Sequence, residues 1–316
     1  MNKVEIFHHK SVSLELIKET FEASFNVDFD KEYWNWRFLK NPNNEKVFIS
    51  YIIEDGVLAA YYAVSPMILS HGGSEYKVAL SNMTMTHPDH RGKGYFKLLA
   101  GSLFDNLKEE GFIAVYGFAN HNSHYGFRKY LNWQDLSALN IFSVIPQDYR
   151  PIKNKDNSIS FQIEKVSPEL IKNISKLQAA ESNQVLIKRD VDNMLWRLLD
   201  NPDNDYKALV GRKNGGIVSI MFFKEYNGEI DIMEFFYNMN NTNNMVSLSV
   251  SELMEKYNAK INLWSNLHTE EHIGLEKLGF KETGFNTYFG VIPLIENEAI
   301  LRYKNWHYRF LDSDIF

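Results

Sequence analysis

One segment of this chain occurs twice, and that constrains the fold more than any other feature. Asp30 to Pro42 and Asp190 to Pro202 share Asp30/Asp190, Trp36/Trp196, Arg37/Arg197, Leu39/Leu199, Asn41/Asn201 and Pro42/Pro202, at a constant offset of 160 residues (190 − 30). Each copy reads as a short helix stopped by its proline, because the residue before proline disfavours helical geometry. A hairpin pattern follows both: Val47 to Met67 around an Asp55-Gly56 turn, and Tyr206 to Val210 followed by Ile217 to Phe223. A chain of 316 residues is long enough for about two domains. Repetition in the same order therefore predicts an internal duplication of one α/β unit. The repeated Trp-Arg pair itself reads as packing rather than chemistry.

Around the first copy, Leu14, Ile17, Phe21 and Phe25 recur at helical spacing from Ser13 to Phe25. A long strand is expected over Tyr76 to Thr86, a helix over Tyr95 to Glu110 closed by Gly111, and a buried strand over Ile113 to Phe118. A short helix follows near Ser123 to Tyr130. After the second hairpin come a strand over Glu229 to Tyr237, a helix near Val246 to Tyr257 and a strand over Ile261 to Ser265. The expected organisation is a first domain over residues 1–148, a linker over 149–158, a second domain over 159–295 and a tail over 296–316 that docks on the body.

Charge and cysteine content exclude several function classes. Lys plus Arg is 34 against 40 Asp plus Glu, a net charge of −6, which lacks the broad basic face of a nucleic-acid binder. With no cysteine there is no disulfide, no thiolate nucleophile and no Cys-based metal site. No metal site is expected from the remaining residues. The start, Met1 to Lys10, has no apolar signal stretch, and no apolar run reaches the ~20 residues that span a bilayer. A cytoplasmic protein without a membrane partner is expected.

Chemistry concentrates in Met83-Thr84-Met85-Thr86-His87-Pro88-Asp89-His90-Arg91-Gly92-Lys93-Gly94-Tyr95-Phe96, a strand, a basic glycine loop and a helix start. Glycines let the backbone turn tightly and approach a ligand, while the free N–H groups of a helix start favour phosphate oxygens. Arg91 and Lys93 add positive charge in an acidic protein. The spacing fits neither Gly-x-x-x-x-Gly-Lys-Ser/Thr nor Gly-x-Gly-x-x-Gly, so P-loop and dinucleotide-binding readings fall away.

Arg91-Gly92-Lys93-Gly94-Tyr95-Phe96 resembles the Arg/Gln-x-x-Gly-x-Gly/Ala loop of the GNAT superfamily of acyl-CoA N-acyltransferases, with Phe96 in place of a small residue. Thr86 to Arg91 is similar to the subgroup that includes the enhanced-intracellular-survival acetyltransferases. Val115 to Ser123, continuing to Leu131-Asn132-Trp133, resembles the fifth strand, asparagine and helix of that family. Leu275-Glu276-Lys277-Leu278-Gly279-Phe280 in the second half is similar to a GNAT domain end. Its equivalent loop, Asn238 to Asn244, carries no arginine, lysine or glycine, so the second half is expected to be a degenerate copy.

The resemblance implies two tandem α/β domains, each a mixed, splayed β-sheet flanked by helices. It implies acetyl-CoA as acyl donor, with Met83, Thr84 and Met85 pairing the pantetheine arm. Arg91, Gly92, Lys93, Gly94, Tyr95 and Phe96 would hold the pyrophosphate, and Asn120 or Asn122 would face the arm. The expected activity is acetyl transfer to a primary amine of a small molecule, an amino sugar being one candidate, by direct attack in a ternary complex. Arg128 stands where the family's acid tyrosine is usual, leaving Tyr125 as the acid candidate. No carboxylate lies within Ser81 to Thr86, leaving His124, water or the carboxylates of the tail as base. Aminoacyl transfer of the peptidoglycan type and a non-catalytic acyl-CoA-binding module are the alternatives. Homo-oligomerisation stays open.

Overall fold

The computed structural model describes residues 7–8, 12–152, 158–177, 184–238, 242–267 and 269–316, with the side chains of 7–8, 242–244 and 285–286 left out. The chain forms two compact units that are not consecutive in sequence. Unit 1 holds residues 1–69, 75–137 and 288–301; unit 2 holds 70–74, 138–287 and 302–316. Most of the proposed linker (153–157), and residues 1–6 and 9–11 at the start, lie outside the described residues.

Unit 1 opens with β1 (Phe7–His8), α1 (Leu14–Phe25) and α2 (Lys31–Phe38). Ser13 caps α1 by accepting from the Glu15 amide, and Asp30 caps α2 by accepting from Tyr33. β2 (Phe48–Glu54) and β3 (Val57–His71) form the predicted hairpin. Asp55 and Gly56 both have positive φ, +53° and +81°, as a tight two-residue turn requires. β4 (Ser74–Thr86), α3 (Tyr95–Glu109), β5 (Phe112–Ala119) and α4 (His121–Tyr130) follow.

Unit 2 takes up most of β6 (Gln134–Val144), then β7 (Ile159–Lys165), α5 (Pro168–Lys172), β8 (Leu186–Ile187), α6 (Val191–Leu198), β9 (Tyr206–Lys213), β10 (Gly216–Tyr226) and β11 (Glu229–Tyr237). α7 (Thr242–Tyr257), β12 (Ile261–Leu263), α8 (Glu270–Lys277) and β13 (Lys281–Pro293) complete the regular elements.

The duplication extends to individual hydrogen bonds. Asp190 caps α6 by accepting from Asn193 at 2.9 Å, as Asp30 does from Tyr33 in α2. Asn41 accepts from the Asn43 amide and Asn201 from the Asp203 amide, both at 2.9 Å. Trp36 and Trp196 are each 1% exposed, and their neighbours Arg37 and Arg197 are buried beside them.

Each unit closes its sheet with a strand from the far side of the sequence. In unit 1, residues 288–293 of β13 run antiparallel to β5, from Tyr288 opposite Ala119 to Pro293 opposite Ala114. In unit 2, β6 runs antiparallel to β12, from Val144 opposite Ile261 to Phe142 opposite Leu263. Unit 1 thus reads β1-β2-β3-β4-β5-β13, and unit 2 reads β6-β12-β11-β10-β9-β7. Among the described residues no helix is long and apolar enough to cross a membrane.

Candidate functional site

In unit 1 the parallel ladder between β4 and β5 runs from Lys77–Phe112 to Leu80–Tyr116 and ends there. β4 nevertheless continues to Thr86 and β5 to Ala119. Two parallel strands that part company leave main-chain N–H and C=O groups facing a gap, and such groups need partners. At the fork, Tyr62 Oη and Ser81 Oγ lie 2.9 Å apart. Burial pushes the Tyr62 phenol well above its ordinary value, so it stays protonated.

The predicted donor residues fall along this fork. Met85 is buried against the α1/α2 layer, with Met83 packed beside it. The Thr84 hydroxyl and both polar atoms of the neighbouring Asn82 side chain are shielded from solvent and have no hydrogen-bond partner among the described residues. His87, Pro88, Asp89 and His90 make a 3-10 turn whose histidine, His87, accepts from the Asp89 amide. Gly92 and Gly94 then sit at φ +80° and +77°, conformations that side-chain-bearing residues rarely adopt. Gly94 is the N-cap of α3, and no side chain caps that end. An uncapped helix start in a basic loop is an arrangement that favours anions.

Phe96, the large residue at the loop's last position, packs against α4. A Cβ on Gly126 would lie in ordinary contact with the Phe96 ring, at 3.4 Å. The ring stacks on Tyr62 (centroids 6.3 Å apart) and meets Phe127 edge-on at 5.5 Å. Phe96 therefore couples the loop to α4 while its own backbone stays at the helix start.

The two loop cations are held differently. Lys93 Nζ, His90 Nδ1 and Tyr95 Oη all converge on one oxygen, Glu54 Oε2, at 2.8, 2.7 and 2.8 Å. Hydrogen bonds from Lys93, then Tyr95 and His90, pull the Glu54 carboxyl down to about 2. Arg91 instead donates to two main-chain oxygens, Nη2 to Ser24 at 3.2 Å and Nε to Thr86 at 3.4 Å. Because the folded Glu54 value lies below the ordinary 4.5, its stabilisation is present above about pH 4.5 and is lost as pH falls towards about 2. Thermal unfolding should thus show wild type more stable than Glu54→Gln near neutrality, with the gap closing on acidification. Parallel curves across that range would mean that the carboxylate does not hold the loop.

α4 begins directly after β5. The Asn120 side chain caps it, accepting from the amides of Asn122 at 3.0 Å and Ser123 at 3.1 Å, so Asn120 Oδ1 is already engaged. Asn122 is exposed. Tyr125 is 65% exposed and lies against Lys129, whose Nζ is 5.2 Å from the ring centroid. Only His124 of the two catalytic candidates is part of a built arrangement: its Nε2 is 2.7 Å from Asp135 Oδ1. Trp133 Nε1 donates to the same oxygen at 2.9 Å, and Arg128 Nε lies 3.3 Å from Oδ2. The His124 ring stacks face to face on Tyr288 of β13, with centroids 3.7 Å apart.

Trp133 lies over a pair of glycines that face each other across β5 and β13, Gly117 and Gly290. A Cβ on Gly290 would come within 2.4 Å of the indole, and one on Gly117 within 3.6 Å. Gly290→Ala should therefore destabilise the protein by about 1–3 kcal/mol, the usual cost of overpacking a close-packed site. Chemical denaturation measures this, and an unchanged midpoint would show that the indole has room to shift.

Sequence reasoning did not single out Glu54, Asp135, Tyr288 or the glycine pair. Glu54 precedes the Asp55-Gly56 turn, and Asp135 lies two residues after Trp133, but neither position is marked by a local pattern. Tyr288 comes to α4 only through the pairing of β13 with β5. The tail was the other base candidate. Within unit 2, Asp312 is held by Arg189 (Nη2 to Oδ2, 2.9 Å), and Phe316 stacks on Phe310 at 3.8 Å. Ile315 is 42% exposed.

Residues 8–134 match the model of the acetyltransferase (GNAT) domain family. A search by sequence among curated proteins found no match. Among solved structures, a probable N-acyltransferase from Enterococcus faecalis V583 superposes with a TM-score of 0.70 at 14% identity, covering 93% of this chain and 73% of that one. Eis1 from Mycobacterium abscessus gives 0.66 at 15% identity, covering 95% and 76%. A tandem GNAT protein from the clavulanic acid biosynthesis pathway gives 0.63 at 9% identity, covering 93% and 100%. At these identities the likeness is one of fold, and it extends over nearly the whole chain.

Proposed function

We propose that this chain, an acyltransferase of the GNAT family through its residues 8–134, transfers an acetyl group from acetyl-CoA to the primary amine of a small molecule. One observation carries the reading: the β4/β5 ladder stops at Leu80–Tyr116, and the strand beyond it leads to a basic glycine loop and an uncapped helix start. Main-chain groups of Met83, Thr84 and Met85 would pair with the amides of the pantetheine arm. Residues Arg91 to Phe96 would take the pyrophosphate, with N–H groups at the start of α3 and the Arg91 guanidinium supplying the complementary charge. Asn122, exposed at the start of α4, is the freer of the two asparagines to face the arm; Asn120 acts by shaping the turn.

Attack on the thioester requires a neutral amine, a polarised carbonyl and a proton for the departing sulfur. Main-chain N–H groups of β4 would polarise the carbonyl. Tyr125, solvent-exposed on the first turns of α4, is the candidate proton donor to sulfur, and His124 is the candidate acceptor from the amine. The acceptor class includes amino sugars, and the cysteine-free composition suits a reducing cytoplasm. An acyl-CoA-binding module without catalysis is the second reading, favoured by the wide exposure of Tyr125.

Calorimetric titration with acetyl-CoA tests the donor half of this reading. One site per chain is expected, because the corresponding stretch of the second half, Asn238 to Asn244, carries no cation and no glycine. Its residues 239–241 lie outside the described residues. Two equivalent sites, or none, would contradict the assignment.

A further inference from the structure

Resting on the acyl-transfer reading above, we propose that His124 accepts the proton of the attacking amine and that Asp135, Trp133 and Tyr288 are positioning residues for its imidazole. Three independent constraints hold that ring. Asp135 Oδ1 lies 2.7 Å from Nε2, which fixes the proton on Nε2 and leaves Nδ1 as the basic nitrogen. Tyr288 stacks on the ring at an interplanar angle of 5°, fixing its plane. Trp133 Nε1 donates to Asp135 Oδ1 at 2.9 Å, fixing the carboxylate. Trp133 in turn is seated over Gly117 and Gly290, where any side chain on Gly290 would collide with it.

Nδ1 has no hydrogen-bond partner among the described residues, and the His124 side chain is 16% exposed. The ring is thus sheltered but open at one nitrogen. A histidine whose tautomer, plane and carboxylate partner are all fixed is an arrangement suited to proton transfer. It also supplies what β4 lacks, since no carboxylate lies between Ser81 and Thr86.

The amine lone pair forms the new N–C bond, the C–S bond breaks, and its electron pair leaves on sulfur. The proton lost by nitrogen passes to His124 Nδ1, and sulfur takes up a proton from Tyr125 or water. The imidazolium then gives its proton to solvent and Tyr125, where it was the donor, takes one back, so the net products are the amide and the free thiol.

Asp135 from β6 and Tyr288 from β13 meet the ring directly, while Arg128 of α4 lies on the same carboxylate and His121 lies against Tyr288.

The experiment combines kinetics with nitrogen-15 NMR of the histidine rings in the full chain. The amine is whichever member of a primary-amine panel the wild type acetylates. His124→Gln should reduce kcat/KM about a hundred- to ten-thousandfold, with acetyl-CoA affinity and circular dichroism unchanged. Asp135→Asn should lower the rate and release the ring from its single tautomer, so that the nitrogen-15 signals of neutral His124 no longer report the proton on Nε2 alone. In the wild type, neutral His124 should carry its proton on Nε2, a readout that needs no stable variant. An active wild type with an undiminished His124→Gln, or with His124 protonated on Nδ1, would overturn the dyad alone. A wild type that binds acetyl-CoA but acetylates no amine would overturn the acyl-transfer reading itself, and the dyad's role with it.

Discussion

Arg91→Glu is expected to weaken acetyl-CoA binding by about 3 kcal/mol or more, over a hundredfold in Kd. Lys93 is already bound to Glu54 at 2.8 Å, so much of its charge is answered within the protein. Arg91 makes no ion pair among the described residues; its guanidinium is anchored only to the main-chain oxygens of Ser24 and Thr86. It is therefore the loop cation best able to answer an incoming anion. Hydrogen bonds to charged groups are worth about 1.5–3 kcal/mol each, and reversing the charge adds repulsion to their loss. Lys93→Gln should cost less, because Glu54 shares that lysine. Calorimetry on both variants decides the matter, and equal or negligible losses would mean that the phosphates lie elsewhere.

The largest expected loss of stability follows Arg189→Ala in unit 2. Arg189 Nε lies 2.6 Å from Glu234, and Nη1 lies 2.7 Å from Asp312. All three side chains are at most 6% exposed. Burial opposes the arginine's charge, but Asp312 and Glu234 more than compensate and raise its pKa above the ordinary arginine value. Truncating it leaves buried Asp312 without its cation and Glu234 with only the longer contact to Arg309 (Nε 3.6 Å from Oε1), a change that costs about 3–5 kcal/mol. Arg189→Lys should recover only part of this, since an ammonium cannot reproduce the forked contact to Asp312. Urea unfolding monitored by circular dichroism measures both. A loss below about 1 kcal/mol for the alanine variant would show that water or a rearranged tail relieves the carboxylates.

Much of the architecture was legible because it rests on local chemistry. Ser13, Asp30 and Asp190 cap helices in the way their short polar side chains allow, and Asp55-Gly56 makes the turn that its left-handed preference dictates. The loop from Arg91 to Phe96 was legible for the same reason, since two positive-φ glycines and a helix start are consecutive in sequence. The assemblies that give the loop and α4 their character were not. Glu54 meets Lys93, His90 and Tyr95 across 36 to 41 residues, brought there by the β2–β3 hairpin. Tyr288 reaches His124 because β13 pairs with β5, an exchange of strands between the two halves of the sequence that no periodicity announces. Phe96 shows a further limit. Its ring packs against Tyr62 of β3 and Phe127 of α4, partners about thirty positions away on either side that the loop motif does not show.

The central claim is that unit 1 catalyses transfer of an acetyl group from acetyl-CoA to a primary amine. Its most direct test is to incubate the full chain with acetyl-CoA and a panel of primary amines that includes amino sugars, measuring free thiol and acetylated amine together. The account predicts equal amounts of the two products with at least one amine, and little of either from Arg91→Glu at donor concentrations that saturate only the wild type. Binding of acetyl-CoA without acetylation of any amine would contradict it and leave a CoA-binding module in its place.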